Sequence, residues 1–227
     1  MKIARKIAGK LICWLAALAG AAALAGALPA PAADAPPPAA ADPPAGQLLV
    51  ASRAIQDPRF YHSVILLVRH DQSGAFGIVI NHPLGERPLA ALLAESGGKD
   101  AGPGKKGDDK SADAALPGAI PVYLGGPVQP QLGFVIHGSD YRRPETLAVA
   151  GGIALTASKA LLRDIGRHKG PAKYLFALGY AGWGAGQLEA EIARHDWFTA
   201  TADPALVFDA DRETLWQTAL DRRTREL

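Results

Sequence analysis

GYAGWGAGQLEAEIARHDW, residues 179–197, is the stretch on which the fold of this 227-residue chain depends. An apolar run at residues 174–178 precedes it and is typical of a buried strand. We therefore predict that the strand ends at Leu178 and breaks into a turn. A helical pattern then runs from Gln187 to His195, and the turn between strand and helix contains Gly179, Gly182, Gly184 and Gly186.

Two interpretations of this turn remain open. In the functional one, free backbone N–H groups and the helix dipole near Gly186 and Gln187 bind an anion, and Trp183 covers it. In the structural one, Trp183 fills the core, while Glu189 and Glu191 stabilise the first turn of the helix. The spacing of the glycines matches neither a dinucleotide-binding fingerprint nor a P-loop, because no GKS or GKT follows them.

Further motifs occur in a fixed order along the chain. They are GQLLVAS at 46–52, Asp57-Pro58-x-Phe60, SVILLVRH at 63–70, GAFGIVINHP at 74–83, GGPV at 125–128 and GFVIHG at 133–138. Together with residues 179–197, they resemble the YqgE/AlgH family over nearly everything after Gly46.

The resemblance implies a coiled, partly barrel-like sheet with helices packed around it. It implies no reaction, because the family has no established biochemical activity. Some members are described as regulators of transcription or of exopolysaccharide production. Members of the family usually begin at the GQLLVAS element and look cytosolic.

The order of the predicted elements indicates one α+β domain with a bent, largely antiparallel sheet and peripheral helices. Hairpins are predicted around residues 71–74 and 151–152. Helices are predicted at 89–93, from Ser158 to about His168, and from Asp209 or Asp211 to the charged exit at 221–223. The remaining strands are predicted at 48–51, 122–124, 134–136 and 206–208.

Residues 1–32 have the pattern of a secretory leader. Four basic residues precede an Ala- and Leu-rich run at 11–28, and small residues follow it. Cleavage would make the protein periplasmic or secreted, whereas an uncleaved leader would anchor it to a membrane. A misassigned start codon is the alternative and would make the protein cytoplasmic. The only cysteine, Cys13, lies in this segment, so the remainder can form no disulfide.

Two further segments lack core-forming residues. Residues 33–45 form a Pro/Ala-rich tether, and residues 97–118 form a Gly-, Lys- and Asp-rich insertion that we expect to be flexible. The family-like domain therefore spans residues 46–227, interrupted by that insertion.

The charge balance disfavours direct nucleic-acid binding. Four of the 24 basic residues lie in the leader, which leaves 20 against 22 acidic residues, a net charge of −2. Nucleic-acid binding requires a basic face. The six histidines show no metal-ligand spacing, so we predict no metal site and no cofactor.

The candidate site residues all follow apolar strand runs. We hypothesise that the loops of Asn81, of Gly125-Gly126-Pro127 and of Trp183 share one surface depression, with Gly186 and Gln187 at its helix start, and His137, at the end of another strand, is a separate candidate to point into a pocket. For His137, a hydrogen-bonded position at a strand end is the structural alternative. No nucleophile elbow and no Ser–His spacing indicates catalysis, so no catalytic residue is assigned.

Two function classes follow from these features. The first is a non-catalytic binding or regulatory module, since its donors would be backbone amides rather than catalytic groups. The second is an enzyme or cofactor binder that uses the glycine-rich turn and helix start near Trp183 as an anion or nucleotide site. The expected partner is accordingly a small anionic ligand or another protein.

Overall fold

The computed structural model describes residues 44–95, 113 and 116–223. The predicted leader, nearly all of the tether and most of the insertion lie outside these residues. The described chain forms a ten-stranded sheet that is antiparallel except for one parallel pair, and it carries short helices on its surfaces. The predicted α+β class with a bent, largely antiparallel sheet is confirmed.

The strands are short at the margins of the sheet and long at its centre. They are β1 Gln47–Ala51, β2 Val64–Asp71, β3 Gly74–Val79, β4 Pro83–Pro88, β5 Ala119–Leu124, β6 Val128–Gly138, β7 Leu147–Ala150, β8 Ile153–Thr156, β9 Tyr174–Gly184 and β10 Trp197–Thr201. The α-helices are α1 Leu89–Glu95, α2 Lys159–Gly166, α3 Gln187–Ala193 and α4 Leu215–Asp221. A 3₁₀ turn at Pro58–Phe60 and a π-helical turn at Ala205–Asp209 complete the described elements.

Strand β9 joins the two halves of the sheet. One half has the order β10-β1-β2-β3-β9, and in the other half β9 lies between β5 and β6, with β8 and β7 beyond β6. The first half of β9 pairs with β5 in parallel, whereas its last four residues pair with β3. Gly125 lies where β5 gives way to β3, since its N–H donates to Leu178 O and its carbonyl accepts from Val79 N–H.

A bulge at Gly179 reverses the side-chain alternation along β9. Before it, Leu175 and Ala177 face the inner core that the curled sheet encloses; after it, Tyr180 faces that core. Ala181 and Trp183 consequently point to the outer face. In a regular strand they would share the face of Leu175, because each lies an even number of residues from it. At the bulge β6 and β9 leave regular register, because residues 129–132 of β6 lie opposite Gly179 alone, and Gly179 has the positive φ of 75° at which the alternation along β9 reverses.

Glycines at the bulge allow two backbones to touch. A Cβ at Gly125 would lie 2.3 Å from Gly179 O, and a Cβ at Gly179 would lie 2.4 Å from Gly126 O. A Cβ at Gly126 would lie 2.1 Å from the Tyr180 carbonyl carbon. The GGPV and GYAG motifs therefore meet as a close-packed seam within the sheet.

Both faces of the central strands are buried, which explains why β1 and β2 are apolar without alternation. Leu48 and Val50 join the inner core, whereas Leu49 and Ala51 join an outer cluster under α3. A third cluster lies between the other half of the sheet and helices α1 and α2. Helix α4 contributes Leu215, Trp216, Ala219 and Leu220 to the inner core.

Two expectations about the strands were wrong. The strand does not end at Leu178 but continues through Trp183 to Gly184, because the bulge redirects it without breaking its pairing. Residues 206–208 are not a strand but part of the π-helical turn. There the Asp203 side chain accepts from Leu206 N–H and the Asp203 carbonyl accepts from Val207 N–H, which starts a helical turn.

Helix α3 ends at Ala193, two residues before the predicted His195. Strands β4 and β10 were not predicted. The first is a largely exposed edge strand that begins and ends with proline, a residue that edge strands tolerate. Helix α2 begins as expected, since the Ser158 side chain accepts from Ala160 N–H.

A pair of glycines tests the seam. Gly179 and Gly186 have φ of 75° and 73°, but a Cβ at Gly186 would meet nothing within 4 Å. We expect Gly186→Ala to lower the free energy of unfolding by about 1–2 kcal/mol, because alanine disfavours the left-handed backbone conformation. Gly179→Ala should incur the same loss and ~1–3 kcal/mol more, because its Cβ would overpack the seam. Urea unfolding of both variants measures the difference, and equal losses would contradict a close-packed seam.

Candidate functional site: the Trp183 cleft

A cleft opens beside Trp183 on the outer face of the sheet. Its volume is about 770 Å³. One wall is the segment after β1 and its 3₁₀ turn; the other is the end of β9, helix α3 and the start of β10. Its lining residues are Ala54, Ile55, Gln56, Asp57, Arg59, Phe60, Pro127, Gly182, Trp183, Gln187, Glu191, Arg194, Asp196 and Trp197. We call this the Trp183 cleft.

One carboxylate holds the two indole rings of the cleft. Glu191 Oε2 accepts from Trp183 Nε1 and from Trp197 Nε1, each at 2.8 Å. The two rings meet edge to face with centroids 5.9 Å apart, and Phe60 packs edge to face on Trp197 at 5.5 Å. The two indoles, fixed in orientation by Glu191, and Phe60 form the apolar part of the cleft.

The first residue of helix α3 bonds back to the turn before the helix, and no side chain caps the helix start. Gln187 Oε1 accepts from Gly184 N–H at 3.1 Å, and Gln187 Nε2 donates to Glu191 Oε1 at 2.9 Å. Gly186 is the N-cap in a left-handed conformation. The helix has only seven residues, and Glu189 adds a negative charge to its first turn. These features do not favour the predicted anion site at the helix start.

Each arginine of the cleft is paired with an aspartate two residues away. Arg59 contacts both carboxylate oxygens of Asp57, with the shortest distance 2.6 Å, and this hydrogen bonding lowers the pKa of Asp57. Arg194 Nη2 lies 2.9 Å from Asp196 Oδ2. Both arginine side chains are more than half exposed, so these pairs are at the rim, where an ion pair is worth about 0–1 kcal/mol.

A histidine behind the cleft fixes helix α3 to the β2–β3 hairpin. His70 Nε2 lies 2.9 Å from Glu189 Oε1, and the His70 side chain is only 3% exposed. Hydrogen bonding with its own backbone, and then with His70, lowers the pKa of Glu189. Helix α3 is thus held through Glu189 on one side and through Glu191 on the other.

Of the seven candidate residues, the structure brings Trp183 and Gln187 into the cleft wall, and Gly186 lies next to them. Asn81 does not line the cleft: its side chain accepts from Val64 N–H and donates to His62 O, each at 2.8 Å. Gly125 and Gly126 belong to the seam against β9. Among the lining residues, only Pro127 represents the GGPV motif.

His137 is fully buried away from the cleft lining. Its Nδ1 must donate to Gly138 O at 2.8 Å, because a carbonyl only accepts, so Nε2 accepts from the Thr156 hydroxyl at 2.9 Å. Thr156 in turn contacts Thr146 Oγ1 at 2.8 Å. His137 is a neutral member of a hydrogen-bond network in the core. It therefore has the structural role considered in the sequence analysis, a hydrogen-bonded position at a strand end, and does not face the cleft.

Within the part of the chain that the structure describes, no group of three or more His, Cys, Asp or Glu side chains is placed to hold a metal ion. The described helices include none with the length and apolar character of a membrane span.

The sequence analysis missed several cleft residues. Arg59, Arg194, Asp196 and Trp197 were not assigned to a site, and Glu191 was interpreted only as a helix-terminal charge. The sequence does place Glu191 close to both tryptophans, eight residues after Trp183 and six before Trp197. This spacing indicates a shared contact only once it is known that the bulge places Trp183 on the face that helix α3 covers.

The structure defines a class: an α+β domain with a curled, two-faced sheet and a preformed aromatic cleft on its outer face. The family model described as AlgH-like (DUF179) matches residues 48–227. A UPF0301 protein of Sphingopyxis alaskensis is 41% identical over 174 residues, covering 77% of this chain and 86% of that protein. A UPF0301 protein of Jannaschia is 42% identical over 177 residues, covering 77% and 85%. The chain belongs to the AlgH-like family, and the predicted resemblance is confirmed.

Two solved structures are similar to this fold. The solution structure of the AlgH protein from Pseudomonas aeruginosa has a TM-score of 0.61 and 38% identity, covering 78% of this chain and 87% of that one. A crystal structure of protein DIP2367 from Corynebacterium diphtheriae has a TM-score of 0.58 and 22% identity, covering 81% and 88%. The second likeness concerns the fold alone.

Removal of the Glu191 carboxylate tests the two-indole arrangement. Glu191→Ala leaves the N–H groups of two buried tryptophans unpaired, so we expect it to lower the free energy of unfolding by about 2–4 kcal/mol. Glu191→Gln keeps an amide oxygen that can accept from both and should lose less than half as much. Urea unfolding compares the variants, and equal losses would show that the shared acceptor is unimportant.

The buried His137 generates a pH dependence of stability. Burial lowers the pKa of His137 below its ordinary value of 6.5. As the pH falls below that value, His137 is protonated in the unfolded chain while it stays neutral in the folded protein, so the free energy of unfolding decreases. His137→Gln should flatten this decrease between pH 7 and pH 5, measured by urea unfolding. Burial also lowers the pKa of His82, so part of the slope should remain. An unchanged slope would contradict this assignment.

Proposed function

We propose that this protein is a non-catalytic binding module and that the Trp183 cleft is its binding surface for a segment of another protein. The observation that carries the proposal is the composition of the cleft. Phe60, Trp183, Trp197, Arg59 and Arg194 all line it. Aromatic and arginine side chains are the types enriched at protein interfaces and at their energetic centres.

The polar side chains of the cleft also fit binding better than catalysis. Asp57 pairs with Arg59, Asp196 pairs with Arg194, and Glu191 accepts from two indoles and from Gln187. A catalytic constellation would present a nucleophile next to a base. The lining residues, as described, contain no serine, cysteine, threonine or histidine.

The alternative of an anion or nucleotide site receives less support. Two arginines and three carboxylates line the cleft, a net formal charge of −1. Both arginines already pair with neighbouring aspartates, and the first turn of helix α3 carries the negative charge of Glu189. A phosphorylated or carboxylated ligand would therefore enter a site with a net negative field.

Site-specific photo-cross-linking in the source cell tests the proposal. A photoreactive amino acid at Gln56, an exposed residue of the cleft wall, should cross-link one recurring segment of a partner protein. Arg59→Glu together with Ala54→Trp, which changes the charge and fills the mouth of the cleft, should abolish the cross-link. The full chain is used throughout.

The matched control places the same photoreactive group at Leu147, a 48% exposed residue of β7 outside the cleft lining. It should not capture the same segment. The proposal is wrong if both positions capture the same proteins. It is also wrong if a nucleotide, flavin or phosphorylated metabolite raises the Tm of the full chain and the cleft-filling variant abolishes that shift.

A further inference from the structure

Glu191 is the one charge of the cleft lining that the described residues do not match with a cation. Its three hydrogen-bond partners are Trp183 Nε1, Trp197 Nε1 and Gln187 Nε2, all neutral donors. The other two carboxylates of the lining, those of Asp57 and Asp196, each have an arginine within 2.9 Å. The unpaired negative charge thus lies among the aromatic rings.

On the basis of the proposed function, we propose that the protein segment bound in the Trp183 cleft inserts a basic side chain, arginine or lysine, towards Glu191. The chemistry of the partner is then that of a basic peptide segment. The proposal follows from charge complementarity, since a single cation would neutralise the net −1 charge of the lining.

The aromatic rings strengthen this assignment. Trp183 packs edge to face on Trp197, and the N–H edges of both indoles point at Glu191, whereas Phe60 packs on Trp197. Phe60 is the partly exposed ring of the three, and the long methylene stem of arginine or lysine can lie against it while the charged end reaches the carboxylate.

The pairing of the two cleft arginines also favours an incoming basic side chain over an acidic one. Arg59 and Arg194 are held by aspartates on their own segments, and within the described chain neither forms a hydrogen bond or ion pair with Glu191. An incoming acidic side chain would have to break one of these pairs. An incoming basic side chain leaves both pairs intact.

Small probes of a single residue test the charge preference. The probes are N-acetyl-arginine methylamide, its lysine counterpart, the neutral isostere N-acetyl-citrulline methylamide and N-acetyl-glutamate methylamide. Each is titrated into the ¹⁵N-labelled full chain, and the indole N–H resonances of Trp183 and Trp197 are followed, with Trp216 as an internal reference. The arginine probe should shift both cleft resonances and bind about tenfold more tightly than citrulline, the ratio expected of one charge-assisted contact.

The variant Glu191→Gln keeps the acceptor for both indoles and removes the charge, so it should abolish the preference for arginine over citrulline. Glu213→Gln, which removes an exposed carboxylate outside the cleft lining, should retain it. Equal binding of arginine and citrulline overturns the inference, as does tighter binding of the glutamate probe or the absence of any shift. The photo-cross-link at Gln56 does not depend on the charge of the captured segment. A captured neutral or acidic segment would therefore refute this inference and leave the proposed function standing.

Discussion

The structure depends on a change of phase at Gly179, where a bulge in the β6–β9 pairing moves the side chains that follow in β9 to the opposite face of the sheet. Before the bulge, the strand contributes to the inner core; after it, Trp183 points outward to meet helix α3 and β10. Without the bulge, strict alternation would turn Trp183 into the inner core. The outer face would then lose the ring around which the Trp183 cleft is built.

The same bulge explains why glycines recur in two distant motifs. Gly125 and Gly126 lie directly against the backbone of residues 179–181, at distances that no Cβ can occupy. At this seam β5 leaves β9 and β3 replaces it, so the glycines join the two halves of the sheet. A glycine-rich motif that resembles a ligand loop in the sequence is here an internal contact between strands.

Much of the fold could be predicted from the sequence because apolar runs and turn residues are local signals. The β2–β3 hairpin, the β7–β8 hairpin and the Ser158 cap are of this kind. The course of the chain at residues 178–184 could not be predicted. Whether a glycine ends a strand or forms a bulge depends on a partner strand distant in sequence. The three-residue apolar run at 206–208 is similarly ambiguous, and Asp203 decides it by starting a helical turn.

The candidate site was predictable in position but not in composition. Trp183 was recognisable as an unusually large residue between glycines, yet the side chains grouped with it in the cleft come from three separate segments. The 3₁₀ turn supplies Phe60, helix α3 supplies Glu191, and β10 supplies Trp197. A periodic helix pattern shows that Glu191 occupies a helix but not that it serves two indoles. This arrangement has a consequence for the electrostatics of the cleft. Glu191 accepts hydrogen bonds from neutral donors, whereas Arg59 and Arg194 each pair with a neighbouring aspartate. The residue that organises the aromatic rings is thus also the residue that gives the cleft its net charge.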